Sequence, residues 1–154
     1  MKRLFVFLLF VVLIFGMVPQ IQANETVRYF KEKALVAMEA KDWNNAILDL
    51  QLWAESASDY SEIVNQATVP LHKVTDATML SQDLLTTLAK FKDTSDKYRK
   101  EAHLAMVLMA ECYFHTYKYD EMQKILVEVF QSLSPEETEV WSKALDMFGY
   151  SLGI

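Results

Sequence analysis

The sequence predicts an all-α protein built from antiparallel helical hairpins, and three observations carry that prediction. Glycine is almost missing: none lies between Gly16 and Gly149, which removes most phosphate loops, nucleophile elbows and tight β-hairpins, all of which use glycine to reach positive φ. Apolar residues recur at three- and four-residue spacing along nearly the whole chain, the period of a helix with one buried face. Short polar clusters rich in capping residues separate these runs, and connections that short join antiparallel neighbours. The expected form is either a superhelix of stacked hairpins or a compact helical bundle, with about six helices.

The first 23 residues read as a leader rather than as part of the fold. Lys2 and Arg3 precede an apolar run from Leu4 to Val18 interrupted only by Gly16, and Pro19 to Ala23 forms a short polar exit. That is the layout of a secretory signal peptide with Ala23 at the cleavage position. The run is shorter than the roughly 20 residues a membrane span needs; an uncleaved anchor is the alternative, and then the membrane is touched only through this segment. Residues 24–154 form the expected single domain, exported to the periplasm or the cell exterior. Asn24-Glu25-Thr26 is a glycosylation sequon at the new N-terminus, a weak acceptor outside a eukaryotic secretory pathway.

Within that domain Phe30, Ala34, Ala37 and Met38 mark a first helix, ending at the polar Lys41-Asp42. Trp43, Ala46, Ile47, Leu50 and Trp53 or Ala54 mark a second, fading at Ser56-Ala57-Ser58-Asp59. Ile63, Ala67, Leu71 and Val74, then Leu84, Leu85, Leu88 and Phe91, continue the helical spacing; Pro70 and Ser81-Gln82-Asp83 leave open whether they form one long helix or two. Lys92 to Asp96 is stocked with N-cap residues and predicts a turn, followed by helices over about 97–116 and 119–133. Ser134-Pro135-Glu136-Glu137 predicts a start: Ser134 as cap, Pro135 at the first helical position and Glu137 completing a capping box. Val140, Trp141, Leu145 and Phe148 mark the last helix, which Gly149 ends.

Without Lys2 and Arg3, 13 basic residues stand against 21 acidic ones, a formal charge of −8. An acidic chain with no basic stripe is a poor ligand for nucleic acid. Its single cysteine excludes an intramolecular disulfide, so packing alone must hold the core.

Two helical pairs resemble each other. "AMEAKDWNNAILDLQLWA" and "CYFHTYKYDEMQKILVEVF" both open their second helix on an aromatic after a short polar turn, and these aromatics, Trp43 and Tyr119, are 76 residues apart. With Tyr119 in the aromatic slot, Met106, Met109, Ala110, Tyr113, Met122, Leu126 and Val129 occupy packing positions. In the first pair Phe30, Ala34, Ala37, Trp43, Ala46 and Leu50 do so. In these features the chain resembles an exported bacterial member of the tetratricopeptide (TPR) repeat family. The likeness is good over about 99–135, fair over 27–57 and absent from 60–92. Lys33 and Trp53 depart from the pattern, as do Lys41 and Tyr117, which stand where the family favours glycine.

The resemblance implies a right-handed superhelix whose first helices line a groove for a partner protein or peptide. It places Leu104, Val107, Glu111, Phe114 and His115 on that groove, with Leu35 and Met38 from the first copy. The chain's own middle segment is the other expected occupant of that face.

One stretch invites a chemical reading. "HLAMVLMAECYFH" puts His103, Met106, Met109, Cys112 and His115 three residues apart, all types that bind soft metals. A helix turns about 100° per residue, so this ladder fans over about 240° and cannot share one ion. Met109, Cys112 and His115 remain the metal candidates if another helix supplies a partner, which defines the competing reading: a bundle binding copper or a small apolar ligand. Met106, Met109, Ala110 and Tyr113, by contrast, gather within about 100° and read as packing. Glu136, Glu137 and Glu139 are explained by the favourable field at a helix N-terminus. No nucleophile motif or diagnostic carboxylate pair suggests an enzyme, and no cofactor is implied. The sequence therefore points to an exported protein-interaction module, an accessory factor of a cell-envelope or secretion assembly.

Overall fold

The computed structural model describes the backbone of residues 24–75 and 82–152, and the side chains of 24–66 and 85–150. The predicted leader, residues 1–23, lies outside them. Secondary structure among the described residues is entirely helical: α1 (24–39), α2 (Trp43–Thr75), α3 (Gln82–His115), α4 (Tyr119–Ser132) and α5 (Thr138–Leu152). None of these helices is long and apolar enough to cross a membrane.

Five helices stand where about six were expected, because two predicted interruptions are helical. The second helix does not fade at Ser56–Asp59: Ala57 and Tyr60 are buried and carry its inner face onward. It then runs through Pro70 to Thr75, although proline contributes no N–H to the carbonyl one turn back. Lys92 to Asp96 is not a turn but the interior of α3. Three of the capping-type side chains there have partners compatible with helix. Thr94 Oγ1 donates to the Lys90 carbonyl at 2.7 Å, and the Asp96 carboxylate lies 3.1 Å from Arg99. Ser95 exchanges hydrogen bonds with Ser61 on α2, each hydroxyl reaching the other's backbone carbonyl at 2.9 Å. Such residues unsettle helices only by offering the backbone an alternative; with the hydroxyls committed across the α2–α3 contact, the helix continues.

The two predicted turns are present and share one backbone arrangement. Lys41 has φ 57° and Tyr117 φ 60°, left-handed conformations that cost a non-glycine residue roughly 1–2 kcal/mol. In the first turn Asp42 N–H donates to the Ala37 carbonyl and Lys41 N–H to that of Met38, both at 2.9 Å. In the second, Lys118 N–H donates to Tyr113 at 2.9 Å and Tyr117 N–H to Phe114 at 3.1 Å. This paired pattern closes a helix by satisfying its last carbonyls. The turns lie at the same end of the molecule, where Trp43 stacks on His115 with ring centroids 4.3 Å apart.

The last connection differs in detail from expectation. Ser134 N–H reaches the Glu137 carboxylate at 3.4 Å, Glu136 N–H reaches the Ser134 hydroxyl at 3.3 Å, and Glu137 N–H closes on the Ser134 carbonyl. Pro135 therefore sits in a tight turn ahead of the helix. The first α5 bond, Trp141 N–H to the Glu137 carbonyl, forms only afterwards.

Helix α3 is the shared centre. One side packs with α1 and α2 around Trp53, Leu50, Ala34, Ala46, Tyr60, Ala105 and Cys112. The other packs with α4 and α5 around Val107, Ala110, Met122, Leu126, Val129, Ala144 and Met147. Alanines at Ala34, Ala46, Ala57 and Ala105, each fully buried, let the helices approach closely around the large Trp53 ring.

Candidate functional site

The residues placed on the expected groove separate into covered and open positions. Val107 is fully buried among α4 and α5 side chains, and Leu104 is half-buried between the two cores. Glu111 pairs with Lys143 of α5 at 3.3 Å. Phe114 lies 6.0 Å from both Tyr119 and Tyr150, centroid to centroid. This face of α3 is thus covered by the last helix, not by the middle segment, because α5 folds back over the hairpin and supplies Val140, Ala144 and Met147. His115 is exposed on one side and stacked on Trp43 on the other. On α1, Leu35 is exposed and Met38 packs against the first core.

The ladder of soft side chains is likewise distributed. Cys112 is fully buried in the first core, and burial, then the nearby Glu111 charge, pushes its thiol pKa up to about 12. It is held as a neutral thiol, the weaker form for binding metal or attacking an electrophile. Met109 packs in the same core. Among the described residues no three histidine, cysteine or carboxylate side chains gather to hold a metal ion.

His103 goes elsewhere, to a buried cluster that sequence reasoning missed. Its Nδ1 lies 2.7 Å from Glu137 Oε2, and both side chains are almost wholly enclosed. Arg99, one turn earlier on α3, places Nε 3.5 Å from Glu137 Oε1. The expected role of Glu137 at the helix start is partly kept, since its carboxylate accepts from Ser134 N–H, but the same carboxylate also turns inward and braces the start of α5 against α3. A signal was available: 76 residues before His103 stands Val27, also buried. A histidine in a slot that is apolar in the sister hairpin calls for a buried polar partner. A carboxylate orients an imidazole well, but no serine or cysteine among the described residues hydrogen-bonds to His103, so the geometry is that of a brace.

The open concavity lies on the opposite side of α3. A groove of about 620 Å³ runs between α2 and α4, which diverge over the α3 surface. Its floor is Ala102, Met106, Met109 and Tyr113; Ala54 and Ile125 continue the apolar surface up the two walls. The rims are charged: Glu55 and Asp59 on α2, Glu121, Lys124 and Glu128 on α4, with Arg99 and His103 at one end. A second cleft, of about 630 Å³, lies between α3 and the start of α5. Its lining is mostly charge of both signs, including Asp93, Lys97, Lys100 and Glu139, with Leu104 and Val140 the apolar exceptions. Only the first offers a continuous apolar floor, the feature that gives a binding groove its affinity. Comparison of the chain with protein-family models, with curated proteins and with solved structures finds no match.

Proposed function

We propose that the chain is an exported protein-interaction module of the tetratricopeptide-like class, an accessory factor of a cell-envelope or secretion assembly, and that it receives its partner in the groove between α2 and α4. The observation that carries this reading is the groove of about 620 Å³ between two helical walls, where half-buried Met106 and Tyr113 lie over the buried Met109 and Ala102. Methionine-floored surfaces adapt to partner side chains because the thioether chain is flexible and polarizable. The secretory layout of residues 1–23 supports the cellular setting, and the matching turns at Lys41 and Tyr117 support the repeat-like construction.

Site-specific photocrosslinking in the envelope of the source cell tests it. A photoreactive residue replacing Lys124, on the groove rim, is expected to yield a saturable crosslinked partner, whereas one replacing Val36, exposed on α1, yields none. Equal products from both positions, or none from Lys124, would overturn the reading.

A further inference from the structure

We infer that the occupant of the α2–α4 groove is an amphipathic helix of about three turns, apolar on one side and basic along both flanks. This rests on the reading of that groove as the docking site and adds the chemistry of what docks there. Both walls are helices, whose backbone groups are spent on their own ladders. They offer no exposed edge to an extended peptide, and a helix, which satisfies its own backbone, suits such walls. The length follows from the walls: Gln51 to Ser61 on α2 and Glu121 to Ser132 on α4 line the groove, and each stretch spans roughly 16 Å, or about 11 helical residues.

The charge follows from the rims. Glu55 and Asp59 stand one turn apart on one wall, and Glu121 and Glu128 two turns apart on the other, with Lys124 between them. Arg99, at the end, already faces Asp96 and Glu137. Each rim therefore presents net negative charge beside an apolar floor, and lysine or arginine on both flanks of a docked helix would meet it. Complementarity of this kind selects partners and speeds encounter more than it tightens binding.

The test uses the full mature chain and two fluorescein-labelled peptides of about 11 residues, one Leu/Lys and one Leu/Glu with the same apolar face, followed by fluorescence anisotropy. The Leu/Lys peptide is expected to bind at least about tenfold more tightly, with the advantage shrinking as salt is raised. Glu55→Lys combined with Glu128→Lys is expected to abolish or reverse that preference. Glu39→Lys combined with Asp146→Lys makes the same change in net charge at exposed positions away from the groove and is expected to leave it intact. Equal loss from both double variants would mean only general attraction to an acidic protein and would overturn the inference. Equal binding of both peptides, or binding of neither, would also overturn it. In those cases the Lys124 crosslink is the separate arbiter: if it persists, the groove reading stands without the basic helix; if it is missing, both fall.

Discussion

The two hairpins, α1 with α2 and α3 with α4, use the same turn but fill and finish it differently. Their turns share four backbone hydrogen bonds at an offset of 76 residues, and several of the buried positions correspond. Ala34 and Ala110, Leu50 and Leu126, and Trp53 and Val129 are all fully enclosed. The contents trade bulk: Ala46 and Trp53 in one hairpin stand where Met122 and Val129 stand in the other. A small residue beside a very large one is replaced by two of middle size, so the pattern is kept while the fit is rebuilt. The ends diverge more. Helix α2 continues for 33 residues because α3 offers it Tyr98 and Ser95 to pack and bond against; α4 stops after 14, where Leu133 is extended ahead of Ser134-Pro135. A residue before proline avoids the helical region, and the bonds from Ser134 N–H to the Glu137 carboxylate and from Glu136 N–H to the Ser134 hydroxyl give the chain a new start there. At Pro70, by contrast, the α2 backbone passes through. What ends a helix here is a competing start, not proline alone.

Three sets of substitutions would break or sharpen that comparison. The largest effect is expected where the two cores differ most in bulk. Trp53→Ala should cost about 3–5 kcal/mol, the range for emptying a large aromatic site, whereas Val129→Ala in the matching slot should cost roughly half as much or less. Urea denaturation of both variants measures this, and equal losses would mean the first core relaxes around the missing ring.

The next tests the polar brace that only the second hairpin carries. Glu137→Ala leaves His103 and Arg99 facing an uncompensated buried space and should cost about 3 kcal/mol. Copying the first hairpin's apolar slot, with His103→Val combined with Glu137→Leu, should recover most of that loss, since replacing both partners of a buried hydrogen bond leaves neither unsatisfied. Thermal unfolding of the single and combined variants forms the cycle, and a combined variant no more stable than Glu137→Ala would show that Arg99 also depends on the carboxylate.

The smallest concerns the turns. Asp42 caps α2, its carboxylate accepting from Asn45 N–H at 3.4 Å and from the Asn45 side-chain amide at 2.6 Å, while Lys118 caps α4 with no side-chain bond. Asp42→Ala should therefore cost about 1 kcal/mol and Lys118→Ala close to nothing. Amide hydrogen exchange in the first turns of α2 and α4 would read the difference directly.

Much of the fold was legible before any coordinates, and the reason is range. Helical periodicity, the Lys41-Asp42 and Tyr117-Lys118 turns and the Ser134 N–H to Glu137 contact each depend on residues within about one turn of one another, so the chain itself displays them. The candidate site was less legible. Expectation placed the groove on the Leu104 and Val107 face, the one the repeat pattern nominates, yet that face is closed by α5 and the open one contains Met106 and Met109.

By itself, then, the sequence determined that the described chain is helical, where two of its turns fall, and that Trp53 and its neighbours are core. Only the tertiary structure decided that α3 runs unbroken through Lys92–Asp96, that His103 lies against Glu137, and which side of α3 stays open. Those outcomes turn on pairs such as Ser61 with Ser95 and His103 with Glu137, each separated by 34 residues. A polar side chain carries no local mark of whether its partner is water or a residue one helix away. That choice is made when the helices pack and desolvation leaves one partner within reach.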